Sequence, residues 1–283
     1  MRLADGRRLV VKVGRRSLGV AFLSAVQVVQ AHLVAQAFAC PRPLLGPTPV
    51  EVGIAVVEEL VDRGVRGCAH DAAIRRSMAR ALARMVKLRR GFRALPGLGP
   101  ALLTPPAAGQ LWPEPHDRRF DFAGTAPGAE WIDELAAQAR LRLGASCGEM
   151  VVAHSDWRAE HVRFEGEEIV AAYDWQSLAV GREPALVGMA AHAFTADWAI
   201  PQAPRLPSLA EARAFVGDYE AARGARFSPA ERESSDAAWV YATAYGARCQ
   251  HSDAQRSLPW AKAQVSDDTF RALLAHHGHE LLA

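Results

Sequence analysis

Two short apolar segments, each followed closely by an aspartate, constrain this sequence more than any other feature. Residues 150–153 precede Asp156, and residues 169–173 precede Asp174, eighteen positions after Asp156. Both segments are typical of short buried strands, and the Glu-Gly dipeptide between them predicts a turn. If the two strands pair as a hairpin, both aspartates lie at the same end of it. Two carboxylates placed together are suited to Mg²⁺-assisted phosphoryl transfer, one orienting the attacking hydroxyl and the other holding the metal.

The composition is that of an ordinary globular protein. The 283 residues are 50% hydrophobic and 23% charged, enough for one large domain or two lobes. A net charge of +2 does not favour a nucleic-acid partner. No apolar run approaches the roughly 18 residues of a membrane span, and the charged start of the chain lacks a signal-peptide core. The four cysteines form no CxxC pair, so we expect a cytoplasmic protein with reduced thiols and no membrane partner.

Periodicity along the chain predicts a small β-containing part followed by a larger helical part. A hairpin turning at Asp5-Gly6 leads into a β-branched strand around Lys12, and residues 53–57 predict a second buried strand. From Pro184 onward the pattern is mostly helical. Three earlier segments predict helices, at about residues 23–38, 71–90 and 131–143. This order indicates an α+β fold.

Five segments together resemble a known family. HSDWRAEH (154–161) resembles the HxDxxxxN catalytic loop of aminoglycoside phosphotransferases and choline kinases, distant relatives of protein kinases, and AAYDWQSL (171–178) resembles their IDW segment. VVKV is similar to the strand with a phosphate-contacting lysine, ACPRPLLG to the turn after the αC-like helix, and AVVEEL to the adenine hinge. The resemblance runs from about residue 3 to residue 250.

This resemblance implies a two-lobed, protein-kinase-like fold. Residues 1–60 would form an incomplete N-terminal nucleotide-binding lobe with the hinge. Residues 61–283 would form a mostly helical C-terminal lobe that carries the catalytic hairpin at 150–178.

The resemblance also implies a role for each matched residue. Asp156 would be the catalytic base or hydroxyl-orienting residue, His154 would brace the catalytic loop, and Asp174 would be the main Mg²⁺ ligand. Lys12 would contact phosphate oxygens of ATP or GTP. Backbone groups near Glu58 and Leu60 would contact the base.

Three departures from the family pattern bear on activity. The family's second metal ligand, an Asn, is replaced by His161, and because imidazole is a softer ligand than Mg²⁺ prefers, Mn²⁺ becomes an alternative. The αC-like helix offers Gln27 or Gln30 where a Glu should pair with Lys12, which predicts a hydrogen bond in place of an ion pair. Met1 falls inside the expected second strand, so the first strand and the phosphate-covering loop are missing from the pattern.

The leading hypothesis is therefore an ATP- or GTP-dependent, Mg²⁺-requiring kinase acting on a hydroxyl of a small molecule. The alternative is an impaired pseudokinase that binds nucleotide and regulates a partner. Hydrolysis or acyl transfer is disfavoured because neither a GxSxG elbow nor a Cys-His arrangement is present. The net charge gives no indication of an acidic cleft for polycationic aminoglycosides. The oligomeric state is not predicted.

Overall fold

A computed structural model describes residues 1, 6, 8–101, 103–104, 109–145, 147–198, 206–256 and 269–282. A small antiparallel sheet comes first. Its strands are β1 (Leu9–Gly14), β2 (Pro43–Val50) and β3 (Gly53–Glu59), with β3 in the centre. The strand predicted at 53–57 is therefore confirmed. In the β1–β3 register, Lys12 lies opposite Val56, and Val10 lies opposite Glu58.

Helix α1 (Val20–Ala35) connects β1 to β2 and packs against the sheet. Its Leu23 forms a small buried cluster with Ile54 and Val56 of β3. The helix begins and ends about three residues earlier than the sequence predicted. It ends because Ala37 takes a left-handed backbone conformation (φ 53°), which lets the Phe38 amide donate back to the Leu33 carbonyl at 2.9 Å.

The rest of the described chain is mainly helical, which confirms the predicted α+β class. Helix α2 (Ala72–Leu88) begins after its N-cap residue Asp71, whose side chain accepts a hydrogen bond from the Ala73 amide at 2.8 Å. The helix predicted at about residues 71–90 is confirmed, and its apolar residues Ile74, Met78, Leu82 and Met85 are buried. The six helices are α2 (Ala72–Leu88), α3 (Glu130–Gly144), α4 (Glu183–Ala191), α5 (Leu209–Arg223), α6 (Pro229–Arg256) and α7 (Thr269–Leu281).

Four short strands form one hairpin nested inside another. β4 (Met150–His154) pairs with β7 (Leu178–Arg182), and between them β5 (Val162–Glu165) pairs with β6 (Glu168–Ala172). The expected pairing of segment 150–153 with segment 169–173 is therefore wrong. Each apolar segment is a strand, but each has a partner that hydrophobicity alone did not reveal. We call residues 150–182 the nested hairpin.

Contacts with Phe38, Ala39 and Val61 join the nested hairpin to the segments that follow α1 and β3. The Ala172 amide donates to the Ala39 carbonyl at 2.8 Å. The Tyr173 hydroxyl donates to the Val61 carbonyl, also at 2.8 Å, just after β3. The Phe38 ring meets Trp175 edge-on, with ring centroids 6.0 Å apart. The end of α1 and the end of β3 are thus both anchored to the segment that carries Asp174.

Other sequence expectations have simple outcomes. The predicted turn at Asp5-Gly6 falls mostly outside the described residues, although Met1 and Leu9 exchange backbone hydrogen bonds as a hairpin would. The four cysteines are unpaired, and Cys249 is buried. Among the described residues, none of the helices combines the length and apolar character needed to cross a membrane.

Candidate active site

The two key aspartates lie on opposite sides of an internal loop between the two strand pairs of the nested hairpin. This internal loop consists of residues 155–161 on one side and 173–177 on the other. Backbone hydrogen bonds close both of its ends, from the Ser155 amide to the Ser177 carbonyl and from the Tyr173 amide to the His161 carbonyl, each 2.8 Å long. Asp156 and Asp174 therefore lie on opposite sides of one internal loop although their preceding strands do not pair.

His154 is fixed on both of its ring nitrogens. Its Nε2 lies 2.9 Å from the Tyr173 carbonyl, to which it must donate, and its Nδ1 accepts from the Asp156 amide at 3.3 Å. The ring is 1% exposed and meets Trp157 and Trp175 edge-on. Burial lowers the pKa of His154 from 6.5 to about 4. His154 is therefore a neutral brace between the two sides of the internal loop.

His161 occupies the position where the family pattern has an Asn. Its Nδ1 lies 3.0 Å from the Asp156 carbonyl oxygen, which can only accept, so Nδ1 carries the proton. The Nε2 lone pair therefore remains available as an acceptor or ligand. It already faces a guanidinium nitrogen of Arg158 at 3.5 Å.

Asp174 has a left-handed backbone conformation (φ 58°, ψ 46°), which Asp and Asn tolerate better than other non-glycine residues. Its Oδ2 accepts from the Ser177 hydroxyl at 2.6 Å. Burial opposes ionisation of this carboxyl. The Ser177 hydrogen bond and the nearby His154, His161 and Arg158 outweigh it and hold the pKa of Asp174 below its usual value. The carboxylate is thus charged at neutral pH.

Ligand atoms of His154, His161 and Asp174 all lie within 4.8 Å of one another. Since both His154 nitrogens are engaged in hydrogen bonds, the donors left for a metal are the Asp174 carboxylate and His161 Nε2. Mg²⁺ in phosphate-handling sites is commonly held by one or two carboxylates, with phosphate oxygens and water completing its shell. The donor set fits such an ion, and its imidazole favours Mn²⁺.

Arg158 joins the site although the sequence reasoning gave it no role. Its guanidinium lies 3.0 Å from Asp156 Oδ2 and 3.6 Å from a Glu160 carboxylate oxygen. It thus places a positive charge beside the residue expected to orient the acceptor. The signal that could have found it is its position inside the HSDWRAEH segment, two residues after Asp156.

Lys12 forms an ion pair, contrary to the expectation that it would hydrogen-bond a glutamine. Its ammonium contacts the carboxylate of Glu58, a buried residue of the neighbouring strand β3. The Gln30 side-chain amide donates a hydrogen bond to that carboxylate at 3.1 Å, whereas the Gln27 amide donates to the Leu45 carbonyl at 2.7 Å. Because the partner comes from the sheet and not from α1, helix-based reasoning could not find it.

The base contacts expected from backbone groups near Glu58 and Leu60 stay a prediction. The side chain of Glu58 is engaged with Lys12, and the Leu60 amide already donates to the Arg8 carbonyl at 3.2 Å. The Leu60 amide is therefore not available to a base without rearrangement.

A cavity of about 920 Å³ opens beside Asp156 and Arg158. It extends from the internal loop toward α4, α6 and α7 on one side and toward Leu18 and Phe22 around the start of α1 on the other. We call it the acceptor cavity, because it is lined by Asp156, the residue expected to orient an acceptor hydroxyl. Pockets of this size hold drug-sized ligands.

The model of the APH phosphotransferase enzyme family matches residues 1–242 of the sequence. This chain belongs to that family. The resemblance drawn from the catalytic segments is thereby confirmed. Among curated proteins, none matches this sequence.

Solved structures of this kind share the fold. Aminoglycoside phosphotransferase from Alicyclobacillus acidocaldarius is 13% identical with a TM-score of 0.59, the match covering 99% of this chain and 86% of that one. Macrolide 2'-phosphotransferase MphH from Brachybacterium faecium is 15% identical with a TM-score of 0.52, covering 93% and 84%. A Plasmodium vivax ethanolamine kinase is 10% identical with a TM-score of 0.54, covering 96% and 79%. At these identities the likeness shows the kinase-like fold alone.

Proposed function

We propose that this protein transfers the terminal phosphoryl group of ATP or GTP to a hydroxyl of a small molecule, with a divalent cation. The observation that carries the proposal is the internal loop, which has Asp156 on one side and Asp174 on the other and borders the acceptor cavity at Asp156. Residues 1–60, with Lys12 on the sheet, would hold the nucleotide, and residues 61–283 would hold the acceptor.

In the proposed reaction the acceptor oxygen attacks the γ-phosphorus in line. A new oxygen–phosphorus bond forms, and the bond from that phosphorus to the β,γ-bridging oxygen breaks, releasing the nucleoside diphosphate. The carboxylate of Asp156 orients the hydroxyl and takes up its proton. Asp156 suits this role because its side chain is 38% exposed and lines the acceptor cavity.

Asp174 and His161 Nε2 are the groups that would hold the divalent cation, Mg²⁺ or Mn²⁺. When bound, such a cation offsets negative charge on the phosphates. The protein's own contribution is to keep Asp174 ionised and aimed, through Ser177 and the left-handed backbone.

Two cations of the protein would act on the remaining charge. Lys12, on the sheet, would contact phosphate oxygens while Glu58 orients its ammonium. Arg158, between Asp156 and His161, would stabilise the negative charge that spreads over the transferred group. We expect Arg158→Met to lower turnover more than nucleotide affinity, because its contacts lie on the acceptor side.

The test measures nucleotide consumption and phosphorylated product with a panel of small alcohols and amino sugars. Asp156→Asn should lower turnover about a hundredfold or more while leaving nucleotide affinity nearly unchanged. Asp218→Asn on α5, whose partner is Arg75, serves as the matched control with full turnover. Nucleotide binding without turnover on any acceptor or metal would favour the regulatory pseudokinase. If neither nucleotide binding nor turnover were found, both functional proposals would fail and only the kinase-like fold would stand.

A further inference from the structure

The walls of the acceptor cavity carry information about the acceptor itself, provided that the proposed function, on which this inference rests, is correct. Many of its described lining residues are apolar, and five of them are Phe, Tyr or Trp. Trp198 and Phe270 form one wall, with ring centroids 6.3 Å apart and planes inclined by 32°. Phe120 and Tyr245 belong to a buried cluster on another wall.

Two of the α6 residues that border the cavity have little or no side chain. Ala242 and Gly246 both line it and lie one helical turn apart. A Cβ atom at Gly246 would stand only 2.6 Å from a carbon of the Phe270 ring. Glycine at this position therefore lets Phe270 lie directly on the helix backbone. This packing keeps the aromatic wall in place.

Charges on the cavity wall are balanced in pairs. Asp156 lies 3.0 Å from Arg158, and Asp253 lies 3.6 Å from Arg119. His116 and His192 also line the cavity, and burial lowers the pKa of each, so both are neutral at pH 7. Within the part of the chain that the structure describes, the cavity therefore has no excess of carboxylates to attract a polycation.

We infer that the acceptor is a neutral, largely apolar alcohol with a multi-ring or similarly bulky body, which rests against the Trp198–Phe270 wall and presents one hydroxyl to Asp156. A polycationic amino sugar would meet balanced charges and aromatic rings in place of an acidic lining. A small alkanolamine would cover little of the Trp198–Phe270 wall. Apolar area buried in the cavity would supply the affinity, and the hydroxyl would supply the orientation.

The experiment measures binding by calorimetry with no nucleotide present. The probes are three neutral alcohols with increasing apolar bodies, namely cyclohexanol, decahydronaphthol and hydrocortisone, together with choline and streptomycin. We expect affinity to rise along the three alcohols and the bulkiest to bind at least about tenfold more tightly than choline or streptomycin. A flat series, tightest binding of streptomycin or choline, or no binding of any alcohol would overturn the inference.

Two single-residue variants test whether the alcohols bind in the acceptor cavity. Trp198→Ala removes a half-exposed ring from the wall and should weaken binding of the bulkiest alcohol about tenfold. Trp131→Ala on α3 removes a partly buried tryptophan that does not line the cavity, and should leave binding unchanged. Equal losses in both variants would overturn the assignment to this cavity.

ATP titration separates this inference from the function on which it rests. If the alcohols bind as expected and ATP does not, the phosphotransferase proposal fails while the ligand class of the cavity is supported. If ATP is bound and consumed but only polycations serve as acceptors, the proposed function stands and the inference fails.

Discussion

The nested hairpin and the three-stranded sheet hold their polar groups in different ways. In the nested hairpin, both nitrogens of His154 and the protonated nitrogen of His161 are fixed by backbone groups, and Asp174 is fixed by Ser177. In the sheet, the side chain of Lys12 is one-third exposed and is held by one ion pair with Glu58. The geometry of the proposed chemical step would thus be built into the backbone, whereas the proposed phosphate contact of Lys12 would depend on a single ion pair.

The largest expected effect is at Asp174. Asp174→Asn removes the charge but suits the left-handed backbone, so the protein should keep its fold and lose about a thousandfold or more in turnover. Steady-state kinetics and a thermal melt measure the two parts separately. A variant that melts like the wild type yet keeps a tenth of its turnover would remove Asp174 from the metal site.

The next prediction concerns His154, the buried neutral side chain that braces the nested hairpin. Its pKa is about 4 in the folded protein and 6.5 ordinarily, so between pH 7 and 4 the unfolded chain takes up a proton that the folded protein does not. The contribution of neutral His154 to the free energy of unfolding is therefore fully present above pH 6.5 and falls by about 3 kcal/mol as the pH falls toward 4. His154→Gln should not show this pH-dependent loss. Urea unfolding at both pH values measures the difference, and parallel losses in the two proteins would contradict it.

His161 tests which metal the hairpin suits. His161→Asn supplies a hard oxygen ligand, so turnover with Mg²⁺ should be preserved or rise up to about tenfold. The gain should be smaller with Mn²⁺, which accepts imidazole more readily. Turnover measured with each ion in both proteins gives the comparison. A loss of activity with both ions would mean that the hydrogen bond from His161 to the Asp156 carbonyl matters more than its metal contact.

The smallest expected effect is in the sheet. Glu58→Gln leaves Lys12 without its carboxylate partner, and we expect ATP affinity to fall about threefold as the ammonium loses its orientation. Glu59→Gln, at the exposed neighbouring position, is the matched control. Calorimetry measures both. Unchanged or tighter binding in the first variant would show that Glu58 competes with the nucleotide for Lys12.

The sequence predicted the elements of this fold better than their partners. The helical period of residues 71–90 and the continuous apolar run of residues 53–57 each predict a local structure, and both are confirmed. The pairing of β4 with β7 was missed because residues 178–182 carry a glycine and an arginine and show no strong strand pattern. Strand partners depend on the whole core and not on one segment.

In the candidate site, too, residues of a local motif were predicted, whereas partners that are distant in sequence were not. Asp156, Asp174 and His161 were found because they stand in one recognisable segment, and the structure brings them together. The Lys12–Glu58 pair was missed because its members lie far apart in sequence and meet only through the β1–β3 register. Arg158 was overlooked because one arginine in a polar loop resembles a solvated charge until its distance to Asp156 is known.

The nested hairpin also offers a place to open the chain. Its tip, between β5 and β6, carries exposed Gly166 at φ 59°, with no atom near enough to crowd an added side chain. A break there would put Asp156 on one fragment and Asp174 on the other, while the β4–β7 and β5–β6 pairs would hold the two fragments together. Each fragment alone would lack one of the two aspartates, so turnover recovered on mixing would report the association of the fragments directly.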